Sequence, residues 1–161
     1  MERYDDRRTI QDDRKMRLQF EVPDNCTMPK VVIRGRFHGE KTFPSLNNLL
    51  SEYGRLPVAG GRMKRKHQET CEWIIRTQIR DYKAQKPLII HYRYFEPSRG
   101  QKRDYANIHA FCSKVFNDAL QTCKIIPDDS PRWVLNETHD FFYAEKGAEP
   151  YIEIYLEEVD I

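Results

Sequence analysis

Asn107, Lys114 and Asp118 are spaced so that, on an α-helix turning about 100° per residue, they fall within about 20° of a single line. Asp104 stands just ahead of that line at a helix-start position, after Lys102 and Arg103, and Asp128-Asp129 form an acidic pair beyond it. For any one of these residues an exposed polar face is the ordinary explanation. As a set they offer more. Asp104, Asp118, Asp128 and Asp129 supply oxygen ligands of the kind a hard cation such as Mg²⁺ or Mn²⁺ takes, and Lys114 could offset the charge that develops on a phosphate during hydrolysis. Carboxylates at the two ends of one helix meet only if the loop after it folds back.

The same residues carry a resemblance. KRDYANI, then Lys114, then Asp118-Ala119-Leu120 four residues later, then Asp128-Asp129 ten residues after Asp118, is similar to the pattern of the RusA family of Holliday-junction resolvases, common in phages and prophages. FPSLNNLL, GGRMKRKHQE, PLIIHYRYFEP and WVLNETHDFFYAEKGAEPYIEIYLEE resemble further parts of phage members, so the likeness runs from about Val32 to Glu158. It implies a metal-dependent endodeoxyribonuclease that acts as a homodimer and resolves a four-way DNA junction by paired nicks. It implies catalytic roles for Asp104, Lys114 and Asp129, with Asp104, Asp129, Asp128 and Asp118 around Mg²⁺ or Mn²⁺. Ala106 departs from the pattern, standing where the family carries a second carboxylate. A junction-binding protein that cuts weakly or not at all is therefore the alternative, and a non-enzymatic nucleic-acid-binding protein is a third.

Charge is segregated along the chain. Arg55 to Arg103 holds thirteen Lys/Arg against four Asp/Glu, whereas Ile125 to Ile161 holds ten Asp/Glu against two Lys/Arg. A basic middle suits a phosphate backbone, where each neutralised phosphate releases a counterion, and Arg62, Lys64, Arg65, Lys66, Arg99, Lys102 and Arg103 are the candidate contacts. A solvated basic face balanced by an acidic neighbour is the plain alternative.

The elements that must position these groups follow from periodicity. Leu18, Phe20 and Val22 alternate with polar residues and Val31 to Ile33 is β-branched, which predicts two early strands. FPSLNNLLSEYG predicts a short helix capped by Ser45 and stopped by Gly54. After a Gly60-Gly61 turn, apolar residues from Met63 to Tyr82 recur at helical spacing, with Lys and Arg opposite. Leu88 to Tyr94 alternates as a strand running into Glu96-Pro97. Ile108 to Cys123 fits an amphipathic core helix, Pro127 and Pro131 frame an irregular acidic loop, and Tyr151 to Leu156 alternates as a final strand. Helices between strands without a regular βα repeat predict an α+β domain, a small mixed sheet packed with helices, over residues 17–161, preceded by a charged arm over residues 1–16.

With 161 residues, 39% hydrophobic and 12% aromatic, the chain suits one domain with a real core, and 32% charged residues exclude collagen-like or low-complexity classes. No apolar run could cross a bilayer and no secretory signal opens the chain, so a cytoplasmic protein with no membrane partner is expected. Cys26, Cys71, Cys112 and Cys123 contain no CxxC pair and read as reduced core thiols. Gly60-Gly61 lacks the Lys-Ser/Thr spacing of a P-loop, so no nucleotide cofactor is expected. His109 is predicted at the surface and His91 as structural with no carboxylate partner visible, while Trp133 reads as a packing residue.

Overall fold

The structure is a computed structural model in which residues 18–35, 43–98 and 103–160 are described. The elements run β1 (Lys30–Arg34), α1 (Leu46–Arg55), α2 (Pro57–Gln78), β2 (Leu88–Glu96), α3 (Tyr105–Thr122), β3 (Val134–Tyr143) and β4 (Tyr151–Glu158). The strands form one mixed sheet in the order β1-β4-β2-β3, with β2 parallel to β3 and antiparallel to β4. This is the expected α+β class. The charged arm falls outside the described residues, as do Arg99 and Lys102.

Alternation decides which face of the sheet is dry. Leu88, Ile90, Tyr92 and Tyr94 are fully buried and join Val31, Ile33, Ile152, Ile154 and Leu156. Onto that face the helices bring Cys71, Ile74 and Ile75 from α2 and Ile108, Phe111, Val115, Phe116 and Leu120 from α3, at the i, i+3, i+4 spacing of one stripe. On the other face Phe20 stacks on His91 with ring centroids 3.7 Å apart, and fully buried Asp140 accepts the backbone N–H groups of Gln19 and Phe20 at 3.0 Å. Leu18 to Val22, expected as a strand, is therefore an irregular strap held by one carboxylate.

Three further differences have local causes. α1 passes through Gly54 and ends at Arg55, because Leu56 precedes Pro57 and is extended at φ −160°, ψ 126°. Pro57 opens α2, which places Gly60-Gly61 inside a helix rather than in a turn. A Cβ on Gly60 would lie 2.3 to 2.5 Å from the ring of Tyr53, so its lack of a side chain is what lets α1 close onto α2. Finally, β3 is absent from the sequence expectation. It carries Thr138 and Asp140 on one face and Glu137 and His139 on the other, so its hydrophobic alternation is masked.

Candidate functional site

Asp104 occupies the N-cap of α3, with extended backbone (φ −70°, ψ 119°) and a carboxylate that accepts the N–H of Ala106 at 3.0 Å. A short acidic side chain suits that position because it satisfies an orphan amide and faces the positive end of the helix dipole. Its neighbour Arg103 is engaged within the fold. Arg103 donates from Nε and Nη2 to Glu96 at 3.1 and 2.7 Å and from Nη1 to the carbonyl of Phe43 at 2.6 Å. The residue expected as a DNA contact also acts as a clamp that joins the end of β2, the start of α3 and the segment before α1.

About three turns further along α3, the polar line forms as the spacing requires. Lys114 Nζ lies 3.1 Å from Asp118 Oδ1, and Lys64 of α2 reaches the other oxygen, Oδ2, at 3.4 Å. One carboxylate therefore bridges two ammonium groups. The arrangement alters two expectations: Asp118 already has two cations beside it and is poorly disposed as a metal ligand, and Lys64 is turned toward α3 rather than outward. The trio as a whole keeps one net positive charge at the α2–α3 seam.

Asp128 and Asp129 lie at the other end of α3. Asp128 accepts the Ser130 N–H at 2.9 Å in a tight turn, and its hydrogen bonds with the side chain and backbone of Ser130 hold its carboxyl below the usual range. Asp129 is exposed. The loop does not fold back toward Asp104, because β2, α3 and β3 make a parallel crossover in which Leu88 pairs with Val134. With 18 residues in α3, the helix alone separates Asp104 from this pair by about 27 Å. Among the described residues no group of three His, Cys, Asp or Glu side chains is disposed to hold a metal ion. The oxygen donors suit Mg²⁺ by type, but their placement within one chain does not suit one shared ion.

A polar network that the sequence did not reveal runs along the α3–β3 seam. Asn117 donates to Glu137 Oε1 at 2.6 Å, Glu137 Oε2 lies 3.2 Å from His139 Nε2, and His139 Nδ1 lies 3.0 Å from the Tyr94 hydroxyl. Tyr92 donates to Asn117 Oδ1 at 3.0 Å. Burial would raise the Glu137 carboxyl, but hydrogen bonds from His139 and Asn117 and the nearby imidazoles bring it below its ordinary value. His109 stacks on His139 at 4.3 Å instead of lying at the open surface, and burial followed by His139 lowers its pKa. These are committed groups that fasten α3 to an edge strand. The signal that would find them is the every-second-residue placement of Glu137 and His139, legible only once β3 is recognised as a strand.

The basic run of α2 is distributed around the helix. Arg62 and Lys66 are exposed and line a cleft against α1, whereas Arg65 lies on another flank with Lys64, Gln68, Glu69 and Glu72. His91, expected to lack a carboxylate partner, lies 2.7 Å from Glu157 and 2.7 Å from the Thr138 hydroxyl. Trp133 packs against the core, as read, while Trp73 is 53% exposed. The four thiols are free, with Cys71 and Cys112 buried and their pKa values raised by that burial. No helix among the described residues is long and apolar enough to cross a membrane. No known protein family's profile matches the chain, and no curated protein matches its sequence.

Proposed function

We propose that the chain is a RusA-like, structure-specific DNA endonuclease that binds four-way junctions as a homodimer and nicks them in Mg²⁺ or Mn²⁺. The observation that carries the reading is the bridge from Lys64 to Asp118 to Lys114, which joins the cation-rich helix to the motif helix in one surface. A phosphodiester lying along that seam would meet two ammonium groups held at fixed separation by one carboxylate, and phosphate contacts of this kind position a nucleic acid without reading its sequence. Recognition of a branched junction would then rest on shape and two-fold symmetry. Lys114 would offset charge on the scissile phosphate, and Asp104 and Asp129 would be the carboxylates whose loss stops cutting.

A junction-binding protein without cutting activity is the second reading. It is favoured by Ala106 and by the structural duties of Asp104 and Asp128, each of which already receives a backbone N–H. One experiment separates the two. A labelled four-way junction and its matching linear duplex are incubated with the protein in Mg²⁺ and in EDTA. Symmetric cutting of the junction alone, abolished in Asp129→Asn with binding retained, supports the nuclease. Binding in both buffers with no cut supports the second reading, and no preference for the junction overturns both.

A further inference from the structure

The cleft between α1 and α2 has a volume of about 650 Å³ and lies apart from the motif helix's polar line. Arg55 of α1 and Arg62 and Lys66 of α2 line it, and among the described residues Glu52 is the one carboxylate that lines it. Arg55 is held 3.0 Å from Glu52. Arg62 and Lys66 make no ion pair with any described residue and, four positions apart, project from the same face of α2, about 6 Å apart along its axis. Lys64 points the opposite way, to Asp118. The floor is buried His67, whose ring meets those of Phe43 and Phe111 at 5.8 and 5.9 Å. The cleft has an uncharged aromatic base, two cations on one wall that pair with no described residue, and a third at its rim.

We propose that this cleft seats backbone phosphates of the bound nucleic acid, with Arg62 and Lys66 as the direct contacts and Arg55 as the rim cation. The proposal rests on the DNA-binding reading above and adds a second track, on the side of α2 away from the Lys64–Asp118–Lys114 seam. Two phosphate-facing cations on adjacent turns differ from a generally basic surface in one measurable way: their effect depends on position, and equal charge removed elsewhere does not reproduce it.

The test uses the full chain, a fluorescent four-way junction and EDTA, so that cutting plays no part. Arg62→Ala with Lys66→Ala is expected to weaken binding at least tenfold at about 100 mM salt and to lower the slope of log K against log salt by about 2. Arg80→Ala with Lys83→Ala, removing the same charge beyond the far end of α2, should stay within about twofold. Ser51→Trp, which fills the cleft without changing charge, should also weaken binding, and all variants should match the parent in circular dichroism. Inorganic phosphate at constant ionic strength should not displace the junction. Equal loss in the two charge pairs, unchanged binding in Ser51→Trp, or displacement by submillimolar phosphate would each overturn the cleft assignment and leave the DNA-binding reading standing. No binding of the junction by the parent protein at 50 mM salt would overturn both.

Discussion

Gly60 and His67 show how single side chains on α2 set the position and pH response of the α1–α2 pair. In an unconstrained helix, Gly60→Ala would stabilise by up to about 1 kcal/mol. Here the added methyl group meets the Tyr53 ring at 2.3 to 2.5 Å, so the expected outcome is a loss of about 1–3 kcal/mol in urea unfolding. In a Tyr53→Ala background the clash is gone, and the same substitution should become neutral or stabilising. That reversal is the check. His67, 2% exposed, has its pKa lowered from 6.5 to about 4 by burial and then by the charge of Lys66. The denatured chain therefore takes up a proton in a window, about pH 6.5 to 4, where the folded chain does not. Stability is full above pH 6.5 and falls as the pH drops through that window, by at most about 3 kcal/mol. His67→Leu should remove that part of the acid dependence, measured as the difference between urea midpoints at pH 7 and pH 5.

At the scale of elements, the start of α3 carries two duties that substitution can separate. Asp104→Ala removes the cap and should cost about 1 kcal/mol, whereas Asp104→Asn keeps a good N-cap and should cost only a few tenths. The proposed nuclease loses cutting in both, because Asn lacks the charge. Cutting by Asp104→Asn at the parental rate would remove this residue from the reaction. Arg103 is the companion case. Its bonds to Glu96 and to the Phe43 carbonyl tie three segments together, so Arg103→Ala should lower stability by about 2–3 kcal/mol. Arg62→Ala, at an exposed position, should stay within about 0.5 kcal/mol. If Arg103→Ala instead left stability intact and weakened junction binding, the clamp would be the wrong account of that residue.

For the whole molecule, the parallel β2–α3–β3 crossover sets the terms on which a metal could be held. The paired nicks of the proposed function would need two sites at a fixed separation, so that proposal expects sedimentation to give twice the 19.3 kDa of one chain at micromolar concentration. With Asp104 and Asp129 at opposite ends of α3, one ion can touch both only if each comes from a different copy. Mixing Asp104→Asn with Asp129→Asn protein is then expected to recover part of the cutting that each lacks alone. No recovery, with the dimer intact, would confine the reaction to one end of α3.

β2, α3, β4 and the apolar stripe of α2 were legible in the residues themselves, because period 2 and period 3.6 are local properties of a chain that must bury one face. The Lys114–Asp118 pair was legible for the same reason, being a matter of one helix's pitch. β3 was not: its middle, Glu137 to Asp140, is polar toward both faces, and those side chains are accommodated by partners far away in sequence, Asn117 on α3 and the N–H groups of Gln19 and Phe20. Gly60 read as a turn signal because the residue that needs its missing side chain, Tyr53, belongs to another helix. The four carboxylates could be placed along the chain but not in space. Pairing of β3 beside β2 sends the acidic loop to the far end of α3, and only the packing of α2 on α3 hands Asp118 a second lysine while turning Arg62 and Lys66 into the α1 cleft. Spacing along a chain determines which groups share a face of one element, and the long-range contacts between elements decide which groups meet.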